Sequence, residues 1–108
     1  MWVFTKNSFI SVVEHRDRPN DVMVRARRRR HLVRLFPKRE KQIVKTPNAD
    51  YMWRLVVSKK EMAKVLSEYI LRNLTYDNFK GAQEMEPDMP EWMEFLHAVW
   101  HAGYRMQQ

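Results

Sequence analysis

The segment YMWRLVVSKKEM, residues 51–62, contains a change from strand to helix periodicity and decides the fold. Its first half has apolar residues at alternate positions, the pattern of a strand with one buried face: Tyr51, Trp53, Leu55 and Val57. Ser58 and Glu61 then have the spacing of a capping box, and Val57 and Met62 can form the hydrophobic staple across it. The segment therefore predicts a strand over residues 51–57 and a helix that begins after Ser58.

The sequence that follows this segment is predicted to be helical. Apolar side chains recur first with the spacing of one buried helix face: Met62, Val65, Leu66, Tyr69 and Ile70. Thr75 or Asp77 can cap a short helical turn that Gly81 limits. A final helix should begin near Pro90, with Asp88 or Met89 as its N-cap. Its predicted apolar stripe is Trp92, Phe95, Leu96, Val99 and Trp100.

The sequence before residue 51 is predicted to contain mostly strands. Residues 2–6 and 9–15 are rich in aromatic and β-branched side chains, and Asn7-Ser8 between them suits the turn of a hairpin. After a turn at residues 17–21, Val22, Val24 and Ala26 alternate with Met23, Arg25 and Arg27, which predicts a strand with one apolar and one largely basic face. A short helix with Leu32, Leu35 and Phe36 on its apolar stripe is predicted to end before Pro37, and residues 43–45 to form a brief strand.

This order of elements predicts a single α+β domain over residues 1–108. We expect an antiparallel sheet of about five strands, covered on one face by two to three helices. The pattern does not determine the strand order, and a ferredoxin-like arrangement is one candidate that fits the element order imperfectly. An apolar content of 44% and an aromatic content of 12% are typical of a globular chain rather than a disordered one.

Charge is distributed unevenly along the chain. Residues 1–60 contain 16 Lys and Arg against 5 Asp and Glu, whereas residues 61–108 contain 4 against 8, so the halves carry net charges of +11 and −4. A basic cluster attracts polyanions best, because each neutralised phosphate releases a counterion. We expect the binding surface to consist of Arg25, Arg27, Arg28, Arg29, Arg30, Arg34, Lys38 and Arg39. The alternative is a solvated face whose arginines pair with acids of the second half: Glu84, Glu86, Asp88 or Glu91.

Two further groups of residues could form sites, although a structural role is favoured for each. Glu94, His97 and His101 lie on one face of the predicted final helix and could bind a divalent metal, but no fourth ligand is evident and a solvated polar stripe is the favoured interpretation. Tyr51, Trp53 and Arg54 could stack on bases, but core packing is favoured. His15 and His31 are isolated in the sequence and are predicted to be surface or rim residues.

Several classes of function are disfavoured by what the sequence lacks. Without Cys there is no disulfide, thiolate metal site or Cys nucleophile. The chain has no P-loop, dinucleotide-binding turn or nucleophile elbow, and with only Gly81 and Gly103 it cannot build a glycine loop around phosphate. We therefore expect no catalytic residue, no metal and no cofactor. No signal region or membrane-spanning stretch is evident, so a cytoplasmic location is expected.

Several short motifs are shared with a known group of proteins. They are Met1-Trp2 with Phe4-Thr5-Lys6, Val24-Arg25-Ala26-Arg27, Thr46-Pro47 with Ala49-Asp50-Tyr51 and Arg54, Tyr76-Asp77-Asn78-Phe79-Lys80, and Val99-Trp100. Through them the chain resembles, over nearly its whole length, a family of small bacterial and phage proteins without a settled activity. The chain differs from that family at Asn7-Ser8, where glycine is usual, and at residues 28–30, which are usually less basic. The resemblance implies the domain boundaries and no mechanism.

The leading hypothesis from sequence is a small non-enzymatic module that binds RNA or single-stranded DNA through the surface formed by residues 25–34. The alternative is a phage-type inhibitor that docks on a host nucleic-acid-handling or defence complex through an acidic protein surface. Eight Met residues favour the alternative slightly, because interfaces are enriched in Met. An enzyme built on Glu94, His97 and His101 is the third and weakest hypothesis.

Overall fold

A computed structural model describes residues 1–84, 87 and 89–108, and five strands in these ranges form one antiparallel sheet. The strands are β1 (Trp2–Thr5), β2 (Ser8–Glu14), β3 (Asp21–Ala26), β4 (Val44–Lys45) and β5 (Trp53–Ser58), in the spatial order β1-β2-β3-β5-β4. The predicted α+β class is confirmed. The ferredoxin-like candidate is wrong, because that fold has a helix between its first two strands, whereas here β1, β2 and β3 follow one another and pair as neighbours.

Three α-helices accompany the sheet in the described ranges: α1 (Arg29–Leu35), α2 (Lys59–Asn73) and α3 (Met89–Met106). Two 3₁₀ segments, Pro37–Gln42 and Lys80–Ala82, lie in the connections. The N-cap of the second is Phe79, and the side-chain oxygen of the preceding Asn78 accepts a hydrogen bond from the Gly81 amide at 3.0 Å. The predicted caps Thr75 and Asp77 are therefore wrong, and the predicted cap Asp88 lies outside the described residues.

The main core lies on one face of the sheet. Its strand residues are Ile10, Val12, Val22, Val24, Ala26, Leu55 and Val57. Leu32 and Phe36 of α1 and Met62 of α2 pack against this face. The apolar alternation predicted for β3, and for Trp53, Leu55 and Val57 of β5, is thus confirmed, because every second side chain of a strand faces the same layer. The predicted place of Tyr51 on this face is wrong, because Tyr51 precedes β5 and packs in a different cluster.

A second apolar cluster lies on the opposite face, which the prediction left uncovered. Phe9 alternates with Ile10 and so faces away from the main core, where it packs with Tyr51 and with Trp92 and Leu96 of α3. The expectation of a sheet covered on one face is wrong. The reason is visible in β2, whose residues 8–12 are all buried and therefore need cover on both faces.

The junction between β5 and α2 forms largely as predicted. Ser58 is the N-cap, and its Oγ accepts a hydrogen bond from the Glu61 amide at 3.0 Å. The reciprocal half of the capping box is absent from the described contacts, because the Glu61 carboxylate accepts hydrogen bonds from Arg39 instead. Burial then falls along α2 until Ile70 is 58% exposed, so the prediction that Ile70 faces the core is wrong.

Candidate nucleic-acid interface

Two of the predicted binding residues are held over one aromatic ring. The guanidinium carbons of Arg25 and Arg27 lie 4.7 and 4.5 Å from the centre of the Tyr51 ring. Arg25 also donates a hydrogen bond to Ser11 Oγ at 2.7 Å, and Arg27 donates one to the Asp50 carbonyl at 2.8 Å. Tyr51 is 5% exposed, in agreement with the favoured core role. Because an aromatic face attracts cations, the ring also fixes where these two positive charges lie.

Three further arginines lie where β3 passes into α1. Arg28 is the N-cap of α1 and makes no side-chain capping hydrogen bond, and the first turn contains no acid. Cations at this end oppose the helix dipole at a cost of about 0.3 to 1 kcal/mol each. Arg29 forms an exposed ion pair with Glu40 at 3.2 Å. Arg30 is half-buried beside them.

These arginines line an open cavity of about 540 Å³ that we call the basic groove. Its described lining consists of Arg27, Arg28, Arg29, Arg30, Val33, Glu40, Met52 and Trp53. Glu40 is the one carboxylate in this lining. Trp53 is half-buried, and the Lys45 ammonium lies 5.6 Å from the centre of its ring. The groove therefore combines several guanidinium groups with a partly accessible indole.

A second cavity of about 400 Å³, the aromatic pocket, shares Arg27 and Arg28 with the basic groove. The rest of its described lining is Phe9, His31, Glu91, Trp92 and Phe95. His31 is 4% exposed, its Nδ1 accepts a hydrogen bond from the Phe9 amide at 3.2 Å, and its ring meets that of Trp92 at 5.2 Å. The prediction of a surface or rim position for His31 is wrong, because α1 turns both His31 and Leu32 toward the protein.

The remaining predicted residues lie away from both cavities. Arg34 donates a hydrogen bond to the Asn7 carbonyl near the β1–β2 turn. Arg39 donates to the Glu61 carboxylate at 3.0 and 2.5 Å, and this hydrogen bonding raises the pKa of Arg39. Lys38 is exposed on the first 3₁₀ segment. The structure thus gathers only part of the predicted basic surface into one place.

The acids that might neutralise the arginines occupy different positions. Glu84 pairs with Lys6 at 2.9 Å, and hydrogen bonding to Lys6 lowers the pKa of Glu84. Glu86 and Asp88 lie outside the described residues. Glu91 lines the aromatic pocket and makes no side-chain hydrogen bond or ion pair within residues 1–84, 87 and 89–108. Among the described acids, Glu40 and Glu61 are therefore the ones that pair with predicted binding residues.

Sequence reasoning did not assign four residues of this region to the binding surface: Lys45, Trp92, Phe95 and Glu91. The sequence pattern assigned Trp92 and Phe95 only to the apolar stripe of the final helix, because their position near Arg27 depends on where α3 docks. Arg54 was considered only as part of a stacking platform. It lies directly opposite Arg25 in the β3–β5 register and forms an ion pair with Asp50 at 3.2 Å.

The polar stripe on α3 is a separate feature. Glu94, His97 and His101 are all exposed. Among the residues that the structure describes, no three His, Asp or Glu side chains are grouped so that they could hold a metal ion.

Comparison with known proteins adds no analogue of these cavities. The chain matches no protein-family model, no curated protein and no solved structure. No helix in the described part of the chain is long and apolar enough to cross a membrane. The interpretation of the basic groove and the aromatic pocket therefore depends on their geometry and charge.

Proposed function

We propose that the protein is a small non-enzymatic module that binds single-stranded RNA or DNA in the basic groove. The observation that carries this proposal is the set of four consecutive arginines, residues 27–30, around one cavity with a single described carboxylate in its lining. Guanidinium groups bind phosphate through paired N–H donors and also stack on bases. A run of such groups along a groove suits a chain of phosphates.

The aromatic side chain in the groove favours a single strand. Trp53 is half-buried at the start of β5, so part of its indole is accessible beside the arginines. Unpaired bases stack on such rings, each stack contributing about 1 to 3 kcal/mol, whereas paired bases in a duplex do not present their faces. The groove thus offers both components that single-strand binders combine.

The described contacts of Arg27 and Arg29 are compatible with this role. The Arg29 and Glu40 side chains are 42% and 51% exposed, and ion pairs in such surroundings contribute only about 0 to 1 kcal/mol. Arg29 can therefore exchange this partner for a phosphate at little cost. Arg27 donates its hydrogen bond to the uncharged Asp50 carbonyl, so this contact does not neutralise the positive charge that a phosphate would pair with.

The salt dependence of oligonucleotide binding tests the proposal. Affinity for a fluorescent oligouridine or oligothymidine should fall with salt, and Arg28→Ala and Arg29→Ala should each reduce the log–log slope by about 0.7 if each arginine contacts one phosphate. Arg72→Ala is the matched control, because Arg72 is exposed in the last turn of α2. It should leave the slope unchanged.

Two outcomes would count against the proposal. Slopes that are equal in the groove variants, the control and the unmodified protein would show that the groove does not contact phosphate. A large drop in melting temperature in both groove variants would instead assign the arginines to an internal charge network. Melting curves recorded beside the titrations separate these outcomes.

A second candidate function is supported by the exposed end of α3. Trp100 is 52% exposed, stacks on Tyr104 at 5.4 Å and lies under the Lys80 ammonium at 4.4 Å. Exposed aromatic clusters are typical of protein-binding surfaces. The candidate is an inhibitor of the phage type that docks on an acidic protein surface of a host complex. Under this alternative, Arg28→Ala and Arg29→Ala should mainly slow association with that protein, and oligonucleotide binding should stay weak.

A further inference from the structure

The aromatic pocket has the size and lining of a site for a flat ring. Its volume of about 400 Å³ falls within the range of about 300 to 1,000 Å³ common for small-molecule sites. Phe95 lies 5.4 Å from Phe9 and 6.1 Å from Trp92, measured between ring centres. The rings are tilted against one another rather than stacked. Phe9 and Trp92 are only 3% and 6% exposed, so a planar ligand in the cavity would contact chiefly the half-buried Phe95 ring and the rims of the other two.

The position of the pocket connects it to the basic groove. Arg27 and Arg28 line both cavities, so the cavities adjoin along these two side chains. A nucleotide whose phosphate contacts Arg27 or Arg28 can place its base in the aromatic pocket. Single-strand recognition commonly uses this arrangement, in which a base leaves the stack and enters an aromatic site.

One polar group in the pocket, the Glu91 carboxylate, offers hydrogen-bond acceptors that the common bases do not match equally. Glu91 makes no side-chain hydrogen bond or ion pair in the described ranges, and its carboxylate can only accept hydrogen bonds. A carboxylate repels phosphate, so Glu91 is suited to a base rather than to the backbone. Guanine presents two adjacent donors on its Watson–Crick edge, N1–H and the N2 amino group, which match the two carboxylate oxygens. The other common bases place an acceptor beside their single donor group.

We infer that the aromatic pocket binds one unstacked guanine base, whose Watson–Crick edge donates hydrogen bonds to Glu91, while Arg27 and Arg28 contact the adjoining phosphates. This inference rests on the proposed single-strand binding. It adds a base preference that the basic groove alone does not supply, because phosphate contacts carry no sequence information.

A structural role for Glu91 makes a different prediction. Glu91 lies in the first turn of α3, where an acid stabilises the helix dipole. That role would affect the melting temperature and would be indifferent to the base offered. Base discrimination is therefore the property to measure.

The test compares three short oligothymidines that differ at one central position, which is thymine, guanine or inosine. Inosine keeps N1–H and lacks the N2 amino group. Guanine should bind on the order of 10-fold more tightly than inosine or thymine, since both of these lose the paired contact of two donors with one carboxylate. Glu91→Gln should reduce the guanine preference to about twofold or less, because a neutral amide offers one acceptor beside a donor. Glu94→Gln, an exposed carboxylate on the same helix, is the matched control and should keep the preference.

The outcomes separate the inference from the proposed function. If all three oligonucleotides bind the unmodified protein equally and Arg28→Ala still flattens the salt dependence, the guanine site is refuted and the groove proposal stands. If none of them binds at moderate salt, the proposed function fails and the guanine site fails with it. If Glu94→Gln removes the preference as fully as Glu91→Gln, the loss reflects net charge, which also overturns the inference.

Discussion

Replacement of Leu32 by Ala tests whether the main core holds α1, and with it the basic groove, in place. Leu32 is 0% exposed and packs among the core residues of the sheet. Removing its terminal carbons forfeits about 0.8 kcal/mol for each buried carbon, roughly 2.4 kcal/mol in all, and the remaining cavity adds a further penalty. We therefore expect the free energy of unfolding to fall by about 2 to 5 kcal/mol. A domain of this size has about 5 to 15 kcal/mol in total, so the variant should be clearly weakened.

Urea denaturation followed by circular dichroism measures this loss. Leu71→Ala is the matched control, because Leu71 undergoes the same chemical change on α2 but is 79% exposed. Its effect should stay within about 0.5 kcal/mol. Equal effects of the two substitutions would refute the packing of α1 described here. A loss below about 1 kcal/mol at Leu32 would have the same consequence.

Two other perturbations test local features. Ser58→Ala should lower the free energy of unfolding by about 0.5 to 2 kcal/mol through loss of the α2 cap, and an unchanged urea midpoint would contradict this. Burial and the hydrogen bond to Tyr69 raise the pKa of Tyr76 to about 12. Its contribution to stability is therefore complete below the unfolded pKa of about 10 and is lost as pH rises through 12; a Tyr76→Phe variant that shows the same alkaline loss in urea titrations would refute this assignment.

The sequence predicted those elements whose signals are local. The alternation in β3 and β5 and the serine cap of α2 depend on residues two to four positions apart, and both appear in the structure. The uneven charge is likewise a property of the sequence. These features follow from backbone periodicity and composition, which a short window contains in full.

Contacts between distant segments could not be predicted from local sequence patterns. Tyr51 lies about 25 positions from Arg25 and Arg27 in the chain, yet its ring holds both guanidinium groups. The sequence assigned Arg39 to the binding surface together with its basic neighbours, but in the structure Arg39 donates a hydrogen bond to the Glu61 carboxylate. No local pattern distinguishes these arginines, because the distinction depends on which partner the folded chain brings within reach.

The strands, the helices and the basic character of this protein were determined by its sequence alone. The tertiary structure decided that α3 covers the second face of the sheet, that His31 is buried against Trp92, and that only part of the basic run surrounds a groove. The physical reason is that the hydrophobic interaction is not directional. A stripe such as that of α3 shows that a helix must dock, but the surface it docks on depends on how all the elements pack together.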